Sequence, residues 1–440
     1  MGKTDANGVD LSGVAGRLVQ TVDLVDPPAP QAIATDTVND HVFVLQVESG
    51  AGASGNLCLN RISRTTGKIT GWMRLKGFGH GLSMGCVPVG ADSHLWTECG
   101  DLWFNSEGVP FGSRVTRFRF QDKETLDAKD IPASQKFAPP GSIQSAGPSY
   151  DPTTDRLMIA YRTAEGRKFT RYDATRAAAG DWTAIDDAAP RKGGTTVPAV
   201  KPPGWEEKQF ASKFTSQGFQ LLGDVLYTYD WLPYDRNQNG KVDPEDFPGI
   251  TYISSYDWKT GERADQQIVT GASGLTRREP EGLAVERDPE TQETRLLFGF
   301  SNTVPGTTGS RDVTICWYPT KPAVDGVKVL ADWTELTPAV PLPAGAERPS
   351  GRIVVLAGTP HLQLRGTLTG TFTEDSKIAT LPHRLRPTRQ IRQNVARNNS
   401  TGRCVCRVEG NIRGELWVYG AYDDNPITWI DLNGVSVPWH

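Results

Sequence analysis

The twelve residues from Asp235 to Asp246, DRNQNGKVDPED, have the types and the spacing of a calcium-binding loop. Asp235, Asn237 and Asn239 stand at loop positions 1, 3 and 5, and Gly240 at position 6 permits the sharp turn. Lys241 offers its carbonyl, Asp243 sits at position 9, and Asp246 replaces the usual glutamate at position 12. A hard cation needs roughly six to eight oxygens around one point, and this spacing wraps them there. The expectation is a structural calcium held by Asp235, Asn237, Asn239, Lys241, Asp243 and Asp246. A polar turn between two strands uses the same residues, so that reading stays open beside it.

A second set of polar residues is spread along the chain. His80, Gln217 and Glu281 each precede a glycine and a short apolar run: His80-Gly81-Leu82-Ser83, Gln217-Gly218-Phe219-Gln220 and Glu281-Gly282-Leu283-Ala284. Brought to one place they could hold a polar ligand, or His80 and Glu281 could act as a general acid and base. They could equally be hydrogen-bonded groups that close a crowded channel. Glu279 and Glu281 would share one face of a strand, but Arg277 and Arg278 beside them point to ion pairing instead. The chain has no Gly-x-Ser-x-Gly elbow, phosphate-binding loop or dinucleotide fingerprint. No catalytic residue is assigned, and a binding protein is favoured over an enzyme.

The elements that would position these groups recur. Starts at Gln31, His80, Ala146, Gln217 and Glu281 each lead through a short strand and a polar turn to a second apolar strand. A third strand follows each time, at Asn56–Ser63, Arg114–Phe120, Lys168–Tyr172, Ile250–Trp258 and Val313–Tyr318. A more polar fourth follows, the last of them at Lys328–Leu330. Irregular repeats of four strands predict a β-propeller, here five-bladed, over residues 27–335. Gly81, Gly147, Gly218 and Gly282 would suit its crowded inner ring. Ala188–Lys208, rich in Pro, Gly and Lys, reads as a long surface loop. Residues 1–26 are polar and Gly-rich, with a strand-like piece at Leu18–Val25, and read as an attachment arm or an unordered start. Beyond the Pro-rich junction Trp333–Arg348, short strands separated by turns predict a small β-sandwich over residues 336–440. The fold class is therefore all-β.

Composition fits this plan. The 440 residues include 46 Gly and 31 Pro, which favour tight turns and short strands over helices. The net charge of −4 argues against bulk nucleic-acid binding. Within it, His383–Arg413 is locally basic, with arginines that could meet a polyanion or simply be solvated. The six cysteines show no metal-ligand spacing and read as small core residues. Residues 1–20 lack a basic stretch followed by an apolar run, so no secretory signal is expected, and no apolar run is long enough for a membrane span.

Several of these motifs, taken in order, carry a resemblance. Phe78-Gly79-His80-Gly81-Leu82-Ser83, His94-Leu95-Trp96-Thr97-Glu98, Ser216-Gln217-Gly218-Phe219, Arg278-Glu279-Pro280-Glu281-Gly282-Leu283-Ala284 and Leu297-Phe298-Gly299-Phe300 resemble the propeller of phage receptor-binding tail fibres. A similar domain occurs in proteins called teichoic acid biosynthesis protein C. Trp333-Thr334-Glu335-Leu336, Leu362-Gln363-Leu364-Arg365-Gly366 and Trp429-Ile430-Asp431-Leu432-Asn433-Gly434-Val435 resemble the small β-sandwich that ends many tail fibres. The resemblance implies recognition of a Gram-positive cell-wall glycopolymer, with His80, Trp96, Gln217, Arg278 and Glu281 as candidate ligand-binding residues. It also implies a homotrimer in a phage tail or tail-like particle, attached to baseplate or tail proteins through the N-terminal arm. Such particles assemble in the cytoplasm, and no nucleic-acid or membrane partner is expected. A hydrolase acting on the same polymer through His80 and Glu281 is the alternative.

Overall fold

The structure is a computed structural model that describes residues 8–192, 198, 200–201, 206, 210, 214–291, 293–307, 309–320, 328–343, 345–346, 348–356, 359–400 and 402–439. Residues 1–7 of the expected arm, and most of 193–208 in the expected surface loop, lie outside the described residues. The chain forms two compact units. One is Met1–Ser12 with Thr21–Val269 and Thr276–Lys321; the other is Gly13–Gln20 with Thr270–Leu275 and Pro322–His440.

The first unit is a propeller-like array of mostly antiparallel sheets. Its inner strands are Pro30–Asp36, Met84–Val89, Ala146–Asp151, Thr215–Leu222 and Glu279–Arg287, each at one edge of its own sheet. Each packs on the next in that order, and the last packs back on the first. Gly282, at φ 74°, shows why a residue without a side chain stands at the bulge in the fifth inner strand. A Cβ there would lie 2.9 Å from both the Ala32 Cα and the Ile33 N of the neighbouring strand. Gly218 meets the fifth strand in the same way, with a Cβ 3.0 Å from the Leu283 N.

Alternating apolar residues of successive sheets share their cores. Phe43, Leu59 and Met73 of the first sheet pack with Cys86, Leu95 and Phe118 of the second. Met158, Ala160 and Phe169 of the third pack with Phe219 and Leu221 of the fourth. The polar turn after an inner strand is anchored by a buried aspartate. Asp36, Asp151 and Asp288 each accept a backbone N–H from the residue two further on, at 3.1, 2.9 and 3.1 Å. Two of these aspartates also reach the next sheet: Asp36 accepts from Ser93 Oγ at 2.5 Å, and Asp151 accepts from the Gly223 N–H at 2.8 Å. Between the fifth and first sheets, Arg64 forms a two-pronged pair with Glu286, at 2.9 and 3.2 Å, with both side chains almost entirely buried.

The outermost strand of the fifth sheet departs from the expectation. The sheet runs Gly16–Asp23, Arg311–Pro319, Thr294–Thr303, Glu279–Arg287, so its fourth strand comes from the start of the chain. The segment expected as an attachment arm is thus a structural strand from Gly16 onward. Its sequence GRLVQTVD buries Leu18, Val19 and Val22, and the Thr21 N–H donates to Thr314 Oγ1 at 3.1 Å. Lys328–Glu335, part of which was expected to fill that place, pairs with Ser350–Leu356 in the second unit. The local pattern of an edge strand does not say which sheet it joins, and a sheet edge left open is a liability that a strand from either direction can cover.

The second unit contains a four-stranded and a seven-stranded sheet. Ile353, Leu362 and Leu364 of the first and Ile378, Val408, Leu416 and Ile430 of the second build one shared apolar core. The basic segment is partly interior. Arg397 is 2% exposed and donates to Asn425 Oδ1 at 2.9 Å and to the Pro426 carbonyl at 2.8 Å, while Arg392 and Arg407 both pair with Glu409. Five of the six cysteines are buried as expected, and Cys404 is exposed.

Candidate functional site

His80 lies in a bend ahead of its inner strand, which begins only at Met84. A residue the sequence did not single out for this role, Glu98, holds that bend. Glu98 sits in the strand Asp92–Cys99 and is fully buried. Its Oε1 accepts the backbone N–H groups of His80 at 2.8 Å, Gly81 at 2.5 Å and Leu82 at 3.0 Å, and its Oε2 accepts that of Gly112 at 2.9 Å. Burial pushes its carboxyl up to about 7, against those four donors, which favour the charged form. Burial lowers the His80 imidazole to about 4, so it is neutral at neutral pH; its ring packs on Phe111 at 5.2 Å between centroids.

Glu281 is 3% exposed, and burial, reinforced by Glu279, raises its carboxyl well above the usual range despite the opposing pull of Arg277. Arg277 pairs with Glu279 at 2.9 Å, the ion pairing expected for that doublet. Arg278 is buried, with its backbone at φ 49°, a region that costs a non-glycine residue about 1–3 kcal/mol. Its guanidinium donates to the Val269 carbonyl at 2.6 Å and lies 4.2 Å over the Phe300 ring. Gln217 is the extra residue of a β-bulge between Ser216 and Gly218, a device that re-aims a side chain at a strand end. Gln217 and Glu281 thus lie near the start of their inner strands, whereas His80 lies in the bend ahead of its own.

Trp96 stands apart from them. It pairs with Gly85 and Arg117 in the body of the second sheet, is 2% exposed, and lines a lateral pocket together with Trp182.

In the loop Asp235–Asp246 the side chains bind one another. Asp246 is fully buried, and its two oxygens accept the Arg236 and Asp243 N–H groups, each at 2.9 Å. Asp243 and Asp246 form a capping box on the short turn Pro244–Asp246. Asn237 and Asn239 turn their amide nitrogens to Asp243 at 2.8 and 2.7 Å, and those bonds hold its carboxyl below the usual range. Asp235 accepts the Gly240 N–H at 3.3 Å, and Lys241 donates its N–H to Asn239 Oδ1 at 2.8 Å. Among the described residues no group of three or more His, Cys, Asp or Glu side chains stands together as a metal cluster. As arranged, the residues satisfy a polar turn, and a cation would have to displace these internal bonds.

No family model matches the chain. It is 24% identical over 314 residues to the putative major teichoic acid biosynthesis protein C of Bacillus subtilis, a match over 69% of this chain and 62% of that protein's length. The fold is similar to the tail fibre of a Staphylococcus aureus phage, with a TM-score of 0.49 and 13% identity over 81% of this chain and 74% of that one. It is more distantly similar to a beta-fructofuranosidase of Bombyx mori, with a TM-score of 0.36 and 10% identity over 99% and 94% of the two chains. The sequence resemblance to teichoic acid biosynthesis protein C is met by the first of these likenesses. Among the described residues no helix is long and apolar enough to cross a membrane.

Proposed function

We propose that this chain is a receptor-binding protein of a phage or phage-derived tail particle that recognises a Gram-positive wall glycopolymer without altering it. The observation that carries the reading is that the motifs of the resemblance fall, in order, at or just ahead of inner strands. His80-Gly81 lies in the bend before Met84–Val89, and Gln217-Gly218 and Glu281-Gly282 lie inside Thr215–Leu222 and Glu279–Arg287. In this reading the five sheets of the first unit are the blades of a propeller, and the two sheets of the second are a β-sandwich tip. His80 is neutral at neutral pH, and burial disfavours the charged form of Glu281, which suits hydrogen bonding to a hydroxyl-rich ligand. The segment ahead of Gly16 would attach to tail or baseplate proteins. The test is binding of the labelled protein to intact Gram-positive cells with and without wall teichoic acid. Binding that persists unchanged on cells lacking the polymer would overturn the reading.

A buried carboxyl whose pKa is raised is also what a general acid requires, so Glu281 favours a second reading, a hydrolase of the same polymer. Release of sugar or phosphomonoester from purified polymer, lost in Glu281→Gln, would establish it.

Three copies would raise the apparent affinity of weak single sites through linkage. Light scattering should then give three times the 48.0 kDa of the chain, and a monomer at micromolar concentration would refute the trimer.

The spacing of Asp235–Asp246 alone supports calcium. If Asn237 and Asn239 rotate their amides toward an ion, calcium should raise the melting midpoint by the equivalent of about 2.7 kcal/mol at a hundredfold excess over Kd. Asp235→Ala should abolish the rise, and equal midpoints with chelator and with calcium would leave only a polar turn.

A further inference from the structure

A lateral pocket of about 410 Å³ opens beside the second and third sheets, lined by His94, Trp96, Arg117, Arg119, Gln135 and Trp182 among others. That volume falls within the roughly 300–1,000 Å³ of small-ligand sites. The pocket is unrelated to the inner strands and to the calcium-type loop, and no aspartate or glutamate lines it among the described residues.

Two of its groups have no hydrogen-bond partner among the described residues. The Trp96 Nε1–H is buried and has no acceptor among the described residues, although the residue is 2% exposed. An indole nitrogen can only donate, so a buried one without an acceptor calls for an oxygen from outside the chain. Arg117 Nε is likewise buried without an acceptor, and no carboxylate pairs with Arg117 among the described residues. Its guanidinium lies 5.9 Å over the Trp96 ring. The nearby Arg119 is already engaged at the rim, 3.3 Å from Asp92. Burial, and then the Arg117 charge, lower the His94 imidazole, which leaves it neutral at neutral pH. The wall therefore presents a cation and an unmet donor, with no anion to answer them.

We propose that this pocket binds a small oxyanion, a phosphate or a carboxylate carried on a compact organic group, with Arg117 as its cation and Trp96 Nε1–H as a second donor. Guanidinium matches either oxyanion by paired hydrogen bonds. The proposal does not depend on the receptor-binding reading, because the donors alone carry it and the test uses no cells.

The full-length protein is titrated calorimetrically with glycerol 1-phosphate and with glucuronate, which separate the two oxyanions, and with uncharged glycerol and glucose. The expected result is saturable binding of at least one charged probe and of neither neutral one. Arg117→Met, which removes the charge and keeps most of the volume, should weaken that binding at least about tenfold. Trp96→Phe, which keeps a ring and removes the donor, should weaken it about threefold or more. Binding of neither charged probe would overturn the proposal, as would equal affinity in a folded Arg117→Met. Should that variant fail to fold, Trp96→Phe and the wild type's salt dependence decide. Affinity that stays constant from about 20 to 500 mM salt would show that no charge is being recognised.

Discussion

Removing residues 1–23 is expected to cost this protein its cooperative fold. The deletion takes away the outermost strand of the fifth sheet and with it three buried apolar side chains, Leu18, Val19 and Val22. At about 1.5–3 kcal/mol for each fully buried aliphatic side chain, the loss rivals the roughly 5–15 kcal/mol that holds a typical domain together. It also bares the hydrogen-bonding edge of Arg311–Pro319. Within the second unit, the same deletion removes Arg17, whose guanidinium lies 4.1 Å over Trp439, and Gln20, which donates to the Pro387 carbonyl at 2.8 Å. The truncated chain should be recovered mainly as aggregate. A synthetic peptide of residues 8–26 added during refolding should restore a soluble fraction. A soluble truncated protein with the urea midpoint of the full chain would show that the strand is dispensable.

The second large effect is expected at Glu98. Replacing it with alanine leaves four backbone N–H groups, those of His80, Gly81, Leu82 and Gly112, without their acceptor in a buried setting. Each unmet buried donor costs about 1–3 kcal/mol, so Glu98→Ala should lower stability by about 4 kcal/mol or more. Glu98→Gln keeps one acceptor oxygen and should lose less. Urea denaturation gives the magnitude, and hydrogen exchange gives the location: the His80–Leu82 amides should lose their protection in both variants. A midpoint for Glu98→Ala within about 1 kcal/mol of wild type would mean that water or relaxed backbone replaces the carboxylate.

The recurring strands were legible because their signal is local: an alternating run, a polar turn and a small residue where strands crowd together, as at Gly218 and Gly282. What was hidden depends on distant parts of the chain. Gly16–Asp23 reads as a strand, but its neighbour lies near residue 315, and no local pattern reveals that pairing. Glu98 reads as an ordinary polar residue in an alternating strand; its role comes from a bend that folds over it. Trp96 was singled out, but the feature that distinguishes it is the missing acceptor at Nε1, which only coordinates can show. The Asp235–Asp246 loop illustrates one pattern serving two purposes. Asp243-Pro244-Glu245-Asp246 has calcium-ligand spacing, and it is also a helix-start signature with a cap, a proline and an acidic third position.

The strand Gly16–Asp23 also sets the order of events during synthesis. It leaves the ribosome before every other strand of its sheet, and its place beside Arg311–Pro319 exists only after four sheets have been made. Until then it is an unpaired apolar segment, and the contact it awaits spans most of the chain, a separation that slows folding. Where several nascent copies are crowded together, the strand of one copy meets the open edge of another as readily as its own. Exchange of this strand between copies is therefore the misassembly to which this architecture is most exposed.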